Sequence, residues 1–148
     1  MVDFPKYCGP MVAWSKVMPM PEVVETLPKI AKRFHCVVVS NATDSNAELM
    51  KQAFQRVELD SYFLLFITSK ELGASKPQQE FFEGVADKLC CQVNEMCMIG
   101  NDYDKDIVGA KGVGIKTVLL SKKNCEYPLA DFVISSFGEL VSILDKHT

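Results

Sequence analysis

Several features that mark particular functional classes are missing from this 148-residue sequence. Its six cysteines include no C-x-x-C pair and its two histidines lie far apart, which argues against a zinc site. The net charge of −3 comes without a basic patch, so nucleic acid is not an expected partner. No apolar run reaches the length of a membrane span, and no signal-peptide pattern opens the chain. We therefore expect a cytoplasmic protein with free cysteines and no membrane partner.

The apolar residues form short runs that alternate with stripes at helical spacing. The predicted strands are residues 36–40, 62–68, 96–99, 116–121 and 132–134. Continuous apolar strands between amphipathic helices predict an α/β fold, a three-layer Rossmann-like parallel sheet with helices on both faces. Residues 1–20 show no such periodicity and are predicted to be an irregular N-terminal segment, with residues 21–148 forming one core.

The segment from Gly100 to Gly114 is the most informative part of the chain. It begins where a predicted strand ends, and it places Asp102, Asp104 and Asp106 within five positions. Open α/β sheets bind ligands at this edge, and clustered carboxylates suit a hard divalent cation such as Mg²⁺. The alternative is a solvated acidic loop that only caps the following helix.

Two further polar signals follow predicted strands. Ser40 and Asn41 end the first strand. After the second strand, a polar loop from Ser69 to Lys76 leads to Pro77, which is predicted to begin a helix. Because the carboxyl ends of parallel strands share one edge, the three signals can converge on one crevice. There the Ser40 hydroxyl and the backbone N–H groups of Asn41 and Ala42 could donate to phosphate oxygens, while Lys76 neutralises their charge. Taken singly, such a serine more often caps a turn, and such a lysine is usually a solvated charge.

The three signals in this order resemble the haloacid dehalogenase-like (HAD) hydrolase superfamily. Residues 37–42 (VVVSNA) resemble its second motif, residues 73–82 (GASKPQQEFF) its third, and residues 98–114 (MIGNDYDKDIVGAKGVG) its fourth. Residues 20–23 resemble the segment that follows the helical cap, and residues 131–134 resemble a strand near the family's C-terminus. The resemblance covers about residues 18 to 146.

The resemblance implies a Mg²⁺-dependent phosphohydrolase core that acts on a small phosphorylated metabolite. In the family, an aspartate of the first motif attacks phosphorus, and a second aspartate two residues later is the general acid and base. The roles that carry over are catalysis for Ser40 and Lys76, phosphate binding for Ser40, Asn41 and Lys76, and metal binding for Asn101, Asp102 and Asp106. Asn101 departs from the family, which usually has an aspartate there.

The first motif is the larger departure. No apolar strand that ends in Asp-x-Asp precedes Ser40, and Asp102-Tyr103-Asp104 belongs to the fourth motif. We therefore expect a truncated core without the usual first central strand and without the cap, residues 1–20 being a remnant of the cap or its linker. Without a nucleophile the chain is expected to be inactive alone, with a weak Mg²⁺ half-site.

The missing strand leaves alternatives open. Unpaired buried backbone is costly, so either the sheet closes up, or a second copy or the missing N-terminal half donates a strand. In function, the chain is a phosphatase-type domain, a non-catalytic binding or regulatory module, or one half of a split phosphatase. A receiver-type signalling domain is disfavoured, because no phospho-accepting aspartate ends a central strand. Substrate is not predicted, since the cap that sets it in the family is absent.

Overall fold

A computed structural model of the protein describes residues 22–41 and 46–146. The strands in this part of the chain are β1 (Cys36–Ser40), β2 (Phe63–Thr68), β3 (Cys97–Gly100), β4 (Lys116–Leu120) and β5 (Phe132–Ile134). The α-helices are α1 (Val23–Ala31), α2 (Ala47–Gln55), α3 (Ser69–Leu72), α4 (Gln79–Leu89), α5 (Gly109–Gly112) and α6 (Glu139–Lys146). The fold is of the predicted α/β class, with parallel strands. The predicted irregular segment 1–20 lies outside the described residues, so that boundary stays a prediction.

The chain divides into two compact units. The central unit is Leu72–Ser136, and the flanking unit combines the described residues before Leu72 with those after Ser136. In the flanking unit β1 pairs with β2, in parallel, with Ser40 opposite Thr68. In the central unit the strand order is β3-β4-β5, again parallel, with Gly100 opposite Leu119. In each unit, the parallel pairing brings strand carboxyl ends to one edge.

An aromatic cluster fills the core of the flanking unit. Phe54 on α2 is buried, and its ring meets those of Phe63 and Phe66 edge-on, with centroids 5.3 and 5.2 Å apart. Edge-to-face contacts of this kind stabilise a core beyond the area they bury. The helix that carries Phe54 begins at Asn46, whose side chain accepts a hydrogen bond from the Leu49 N–H at 2.9 Å. Because that cap fixes the first turn of α2, Phe54 faces the aromatic residues of β2.

The central unit is built around β4, whose middle residues are fully buried. Val118 and Leu119 are at most 1% exposed, and Phe81 and Phe82 on α4 are equally buried. The stripe of apolar residues on α4 is the one that the helical spacing predicts. Cys90 ends this helix in the left-handed conformation, with φ of 53°. Helix α4 is therefore closed at its C-terminus directly before the turn that leads to β3.

One helix boundary and one loop differ from the prediction. The helix after the second strand begins at Gln79 and not at Pro77, because Gln78 still has an extended backbone, with ψ of 140°. The polar loop predicted before it contains the short helix α3, which Glu71 holds against the end of β2 through Thr68. Within the described part of the chain, no helix has the length and apolar character needed to cross a bilayer.

Candidate active site around Lys76 and Asp106

The acidic loop follows β3 directly and contains a π-helical turn. The turn spans Tyr103–Val108, and Asp102 caps it by accepting a hydrogen bond from the Lys105 N–H at 3.0 Å. The Asp106 N–H donates to the Asp102 carbonyl oxygen at 2.9 Å, which closes the first turn. Turns of this rare type are frequent at functional sites. The carboxylates of Asp102 and Asp106 are thus held on one tightly wound segment at the edge of the sheet.

Asp106 is the most buried charged residue of this loop. Its side chain is 0% exposed, and that of Lys76 is 3% exposed. The Lys76 Nζ donates to Asp106 Oδ1 at 2.6 Å, and the Asp102 backbone N–H donates to Asp106 Oδ2 at 3.2 Å. A buried carboxylate needs such partners, since burying an unpaired charge is very costly. Both carboxylate oxygens of Asp106 are therefore oriented by hydrogen-bond donors, one from Lys76 and one from the backbone of Asp102.

A compact turn holds Lys76 in place. The Gln78 N–H donates to the Ser75 carbonyl oxygen at 2.8 Å, and the Gln78 side-chain oxygen accepts from the Ser75 N–H at 3.0 Å. The Lys76–Pro77 peptide bond between them is cis. These reciprocal hydrogen bonds close the backbone around Lys76, so its side chain leaves the turn from a defined position. The lysine is thus presented to Asp106 by its own local structure.

Two glycines make room for this arrangement. A Cβ on Gly100 would lie 2.2 Å from Asp106 Oδ2, closer than any real contact. A Cβ on Gly109 would lie 2.7 Å from the Phe82 ring and 2.9 Å from the Pro77 Cα. Gly100 therefore lets the end of β3 approach the Asp106 carboxylate, and Gly109 lets α5 pack against the segment that follows Lys76. Both glycines are required by close approach and not by backbone conformation.

The acidic loop can supply only some of the ligands that a divalent cation needs. No group of three or more His, Cys, Asp or Glu side chains suited to a metal occurs among residues 22–41 and 46–146. Mg²⁺ is commonly held by one or two carboxylates, its remaining positions being filled by water and substrate phosphate. The exposed Asp102, the oriented Asp106 and the side-chain oxygen of the exposed Asn101 supply oxygen ligands of that kind. The residues present thus fit a Mg²⁺ ion that shares its coordination with water and phosphate.

Ser40 and Asn41 belong to the flanking unit. Both are half-buried where β1 ends, and Ser40 lies opposite Thr68 on β2. The structure thus confirms that each predicted signal follows a strand. Ala42, whose backbone N–H was another predicted phosphate donor, lies outside the described residues. The convergence of Ser40 and Asn41 with Lys76 on one crevice stays a prediction.

Glu71 organises the strand end opposite Ser40. Its Oε1 accepts from the Thr68 N–H at 2.9 Å and from the Thr68 hydroxyl at 2.6 Å. Its Oε2 accepts from the Ala47 N–H at 3.2 Å, at the first turn of α2. Partial burial raises the pKa of Glu71, but the hydrogen bonds from Thr68 and Ala47 outweigh it and leave the pKa below its ordinary value. One carboxylate thus ties β2 to the start of α2.

The sequence of most of this chain matches one protein family. Residues 5–120 match the model of the haloacid dehalogenase-like hydrolase family. The chain belongs to that family. The matched residues include β1, the Lys76 turn and the acidic loop, and the match confirms the resemblance to this family.

Relatives and solved structures agree with this assignment. A phosphoglycolate phosphatase of Aquifex aeolicus is 31% identical over 87% of this chain and 60% of its own length. A ribulose-1,5-bisphosphate 5-phosphatase of Halopiger xanaduensis is 27% identical over 84% of this chain and 56% of its own length. The crystal structure of a HAD phosphatase from Thermococcus onnurineus superposes with a TM-score of 0.74, at 25% identity, over 85% of this chain and 58% of that one. The chain thus spans little more than half the length of these HAD relatives.

One contact and two residues of the site, Gly100 and Tyr103, are not predictable from the sequence spacing. The ion pair between Lys76 and Asp106 links positions 30 apart in sequence, so spacing alone gave no signal for it. Gly100 was visible as the start of the acidic loop, but its closeness to Asp106 depends on packing. Tyr103 has the character of an ordinary loop residue in the sequence. A glycine at the end of a buried strand in a HAD-like sequence is the one signal that could have been used.

Proposed function

We propose that this chain is a phosphatase-type HAD domain that binds phosphate and Mg²⁺ but does not turn over substrate by itself. The buried Lys76–Asp106 pair, with the Asp102 N–H on the second oxygen of Asp106, is the observation that carries the proposal. Such a preorganised cluster stabilises phosphate charge without having to reorganise when the ligand arrives. The substrate class we infer is a small phosphorylated metabolite, as acted on by the phosphatases to which the chain is similar.

Each residue has a defined part in this proposal. Lys76 gives a fixed positive charge for phosphate oxygens, and Asp102, Asp106 and Asn101 hold the cation. Bound Mg²⁺ would neutralise the phosphate oxygens that face the loop. Ser40 and Asn41 are assigned to phosphate hydrogen bonds by the family resemblance. No residue is assigned as the nucleophile, because Asp-x-Asp spacing in these 148 residues occurs only within the loop from Asp102 to Asp106.

A second candidate is a phosphatase whose nucleophile comes from outside these 148 residues. It is supported by the relatives, which the chain matches over little more than half their length. The nucleophile would then lie on a longer form of the chain or on a separate N-terminal half. The coding sequence directly upstream discriminates these: an Asp-x-Asp-Gly-Thr segment there, in frame or adjacent, supports a longer or split enzyme.

Hydrolysis of p-nitrophenyl phosphate in the presence of Mg²⁺ tests the proposal. The purified chain is compared with its Lys76→Ala and Asp106→Ala variants, and with the solution without protein. We expect the chain to release p-nitrophenol no faster than either variant, because the covalent step lacks its nucleophile. Turnover by the chain that both substitutions abolish would show that it is an active phosphatase, and the proposed inactivity would be wrong.

A further inference from the structure

Tyr103 connects the acidic loop to the segment between β4 and β5. It directly follows Asp102 and begins the π-helical turn. Its hydroxyl oxygen accepts a hydrogen bond from the Leu129 N–H at 3.2 Å. Its ring lies against that of Tyr127, with centroids 5.1 Å apart and planes tilted by 49°. Tyr103 therefore has two attachments to one loop, which we call the β4–β5 loop (residues 121–131).

The part of the β4–β5 loop that receives Tyr103 is itself well anchored. The Tyr127 hydroxyl lies 3.2 Å from the Ser121 Oγ, at the end of β4. Asp131 accepts from the Thr117 N–H at 2.8 Å and from the Lys111 Nζ at 2.7 Å. The Thr117 hydroxyl donates to the Leu129 carbonyl oxygen at 3.1 Å. Because these bonds connect the loop to β4 and to α5, Tyr103 rests on a fixed support.

The attachment of Tyr103 to the β4–β5 loop has its main effect on the position of Asp102. Asp106 is held by a buried ion pair, whereas Asp102 is exposed and its side chain accepts only the local cap bond among the contacts described for it. An exposed carboxylate that must meet a cation loses rotational freedom on binding, and neighbours that fix its backbone reduce that loss. Tyr103 is the next residue in the chain, so its two attachments restrict the backbone that carries Asp102.

We propose that Tyr103 is a positioning residue, which holds Asp102 in place for the divalent cation through Leu129 and Tyr127. The inference rests on the proposed function, since it requires a cation at the acidic loop. A residue with a purely structural role would affect the stability of the fold more than it affects cation binding. Leu129 is 41% exposed, so water can replace the Tyr103 hydroxyl as a partner of its N–H, and loss of this bond costs little stability. Loss of the same bond loosens the turn and weakens cation binding.

The test is Tyr103→Phe, which removes the hydroxyl and keeps the ring. Mn²⁺ serves as the probe, and electron paramagnetic resonance measures how much of it stays free, so the readout does not depend on tyrosine or on turnover. We expect the dissociation constant for Mn²⁺ to rise about fivefold, the effect of roughly one hydrogen bond, with little change in the melting temperature. Tyr62→Phe, the same change in the flanking unit, is the matched control and leaves Mn²⁺ binding unchanged.

Asp106→Asn separates the two proposals in the same titration. If Asp106→Asn weakens Mn²⁺ binding but Tyr103→Phe does not, the positioning role is wrong and the cation site stands. If Tyr103→Phe reduces the free energy of unfolding by as much as it reduces the free energy of Mn²⁺ binding, Tyr103 is a structural residue and the inference is also wrong. If the unmodified chain binds Mn²⁺ no more tightly than Asp106→Asn, both the cation site and the role of Tyr103 are rejected.

Discussion

Lys76 and Asp106 form a direct ion pair, Nζ to Oδ1 at 2.6 Å, and both side chains are buried. The pair joins the turn before α4 to the loop after β3, and the Asp102 N–H completes it on the other carboxylate oxygen. A buried pair of this kind is weak evidence for added stability, because desolvation of two charges offsets their attraction. It is better explained by function, since it places one fixed positive and one fixed negative charge at a strand edge.

Replacement of Lys76 by Met should destabilise the protein strongly. The change leaves the buried Asp106 carboxylate without its main partner, and removing one member of such a pair costs about 3–5 kcal/mol. The double variant with Asp106→Asn should lose less than the sum of the two single losses, with a coupling energy of about 1–3 kcal/mol. Urea unfolding of the four proteins measures this. Strictly additive losses would show that the two side chains do not interact.

Gly100→Ala should disturb the site more than its small size suggests. The added methyl would lie 2.2 Å from Asp106 Oδ2, so Asp106 or the end of β3 must move. We expect a loss of about 1–3 kcal/mol, typical of overpacking, together with weaker Mn²⁺ binding. Gly112→Ala is the matched control, because nothing lies within 4 Å of a Cβ there and alanine favours the helix. Equal effects of the two substitutions would contradict the packing argument.

Ser40→Ala should weaken phosphate binding if the family assignment of this serine is right. Loss of one hydrogen bond to an oxyanion corresponds to roughly a five- to tenfold weaker affinity. Equilibrium dialysis with labelled inorganic phosphate and Mg²⁺ gives the affinity directly. Ser61→Ala, at an exposed position before β2, is the control and should have no effect. Unchanged phosphate affinity in Ser40→Ala would remove this serine from the site.

Acidification should release the stabilising bonds of Glu71. Its pKa is below the ordinary value, so its contribution is present above the unfolded-state pKa of about 4.3 and is lost as pH falls through the lower folded-state pKa. The difference in urea midpoint between the unmodified chain and Glu71→Gln should therefore be constant near neutral pH and shrink below about pH 4. Glu126→Gln, at an exposed loop position, is the control. A difference that grows on acidification would contradict this assignment.

The sequence predicted the strands closely because their signal is local. The run CVVVS gave β1 as Cys36–Ser40, and the run MCMI gave β3 within a residue of its observed bounds. Consecutive β-branched or apolar residues of this length fit a buried parallel strand. The positions of Ser40 and of the acidic loop after these strands followed from the same signal. Strand ends, and hence the edge at which ligands bind, were therefore predictable.

What could not be predicted depends on contacts between distant residues. The short helix α3 (Ser69–Leu72) forms inside a predicted loop because Glu71 accepts hydrogen bonds from Thr68, and no helical spacing in the sequence predicts this. The π-helical turn at Tyr103 was predicted as loop, since the residues alone do not distinguish one winding from another. The ion pair that orients Asp106 requires Lys76 to be brought across 30 residues of chain. Residue types indicated the chemistry, but their mutual geometry came from packing.

The most direct test of the proposed half-site is the effect of inorganic phosphate on Mn²⁺ binding. A cation that shares its ligands with phosphate binds more tightly when phosphate is present, and phosphate binds more tightly with the cation by the same factor. We predict that saturating phosphate lowers the Mn²⁺ dissociation constant of the unmodified chain by about fivefold or more, and that Lys76→Met and Asp106→Asn each remove the effect. Mn²⁺ binding that is indifferent to phosphate, or equally responsive in both variants, would contradict the account.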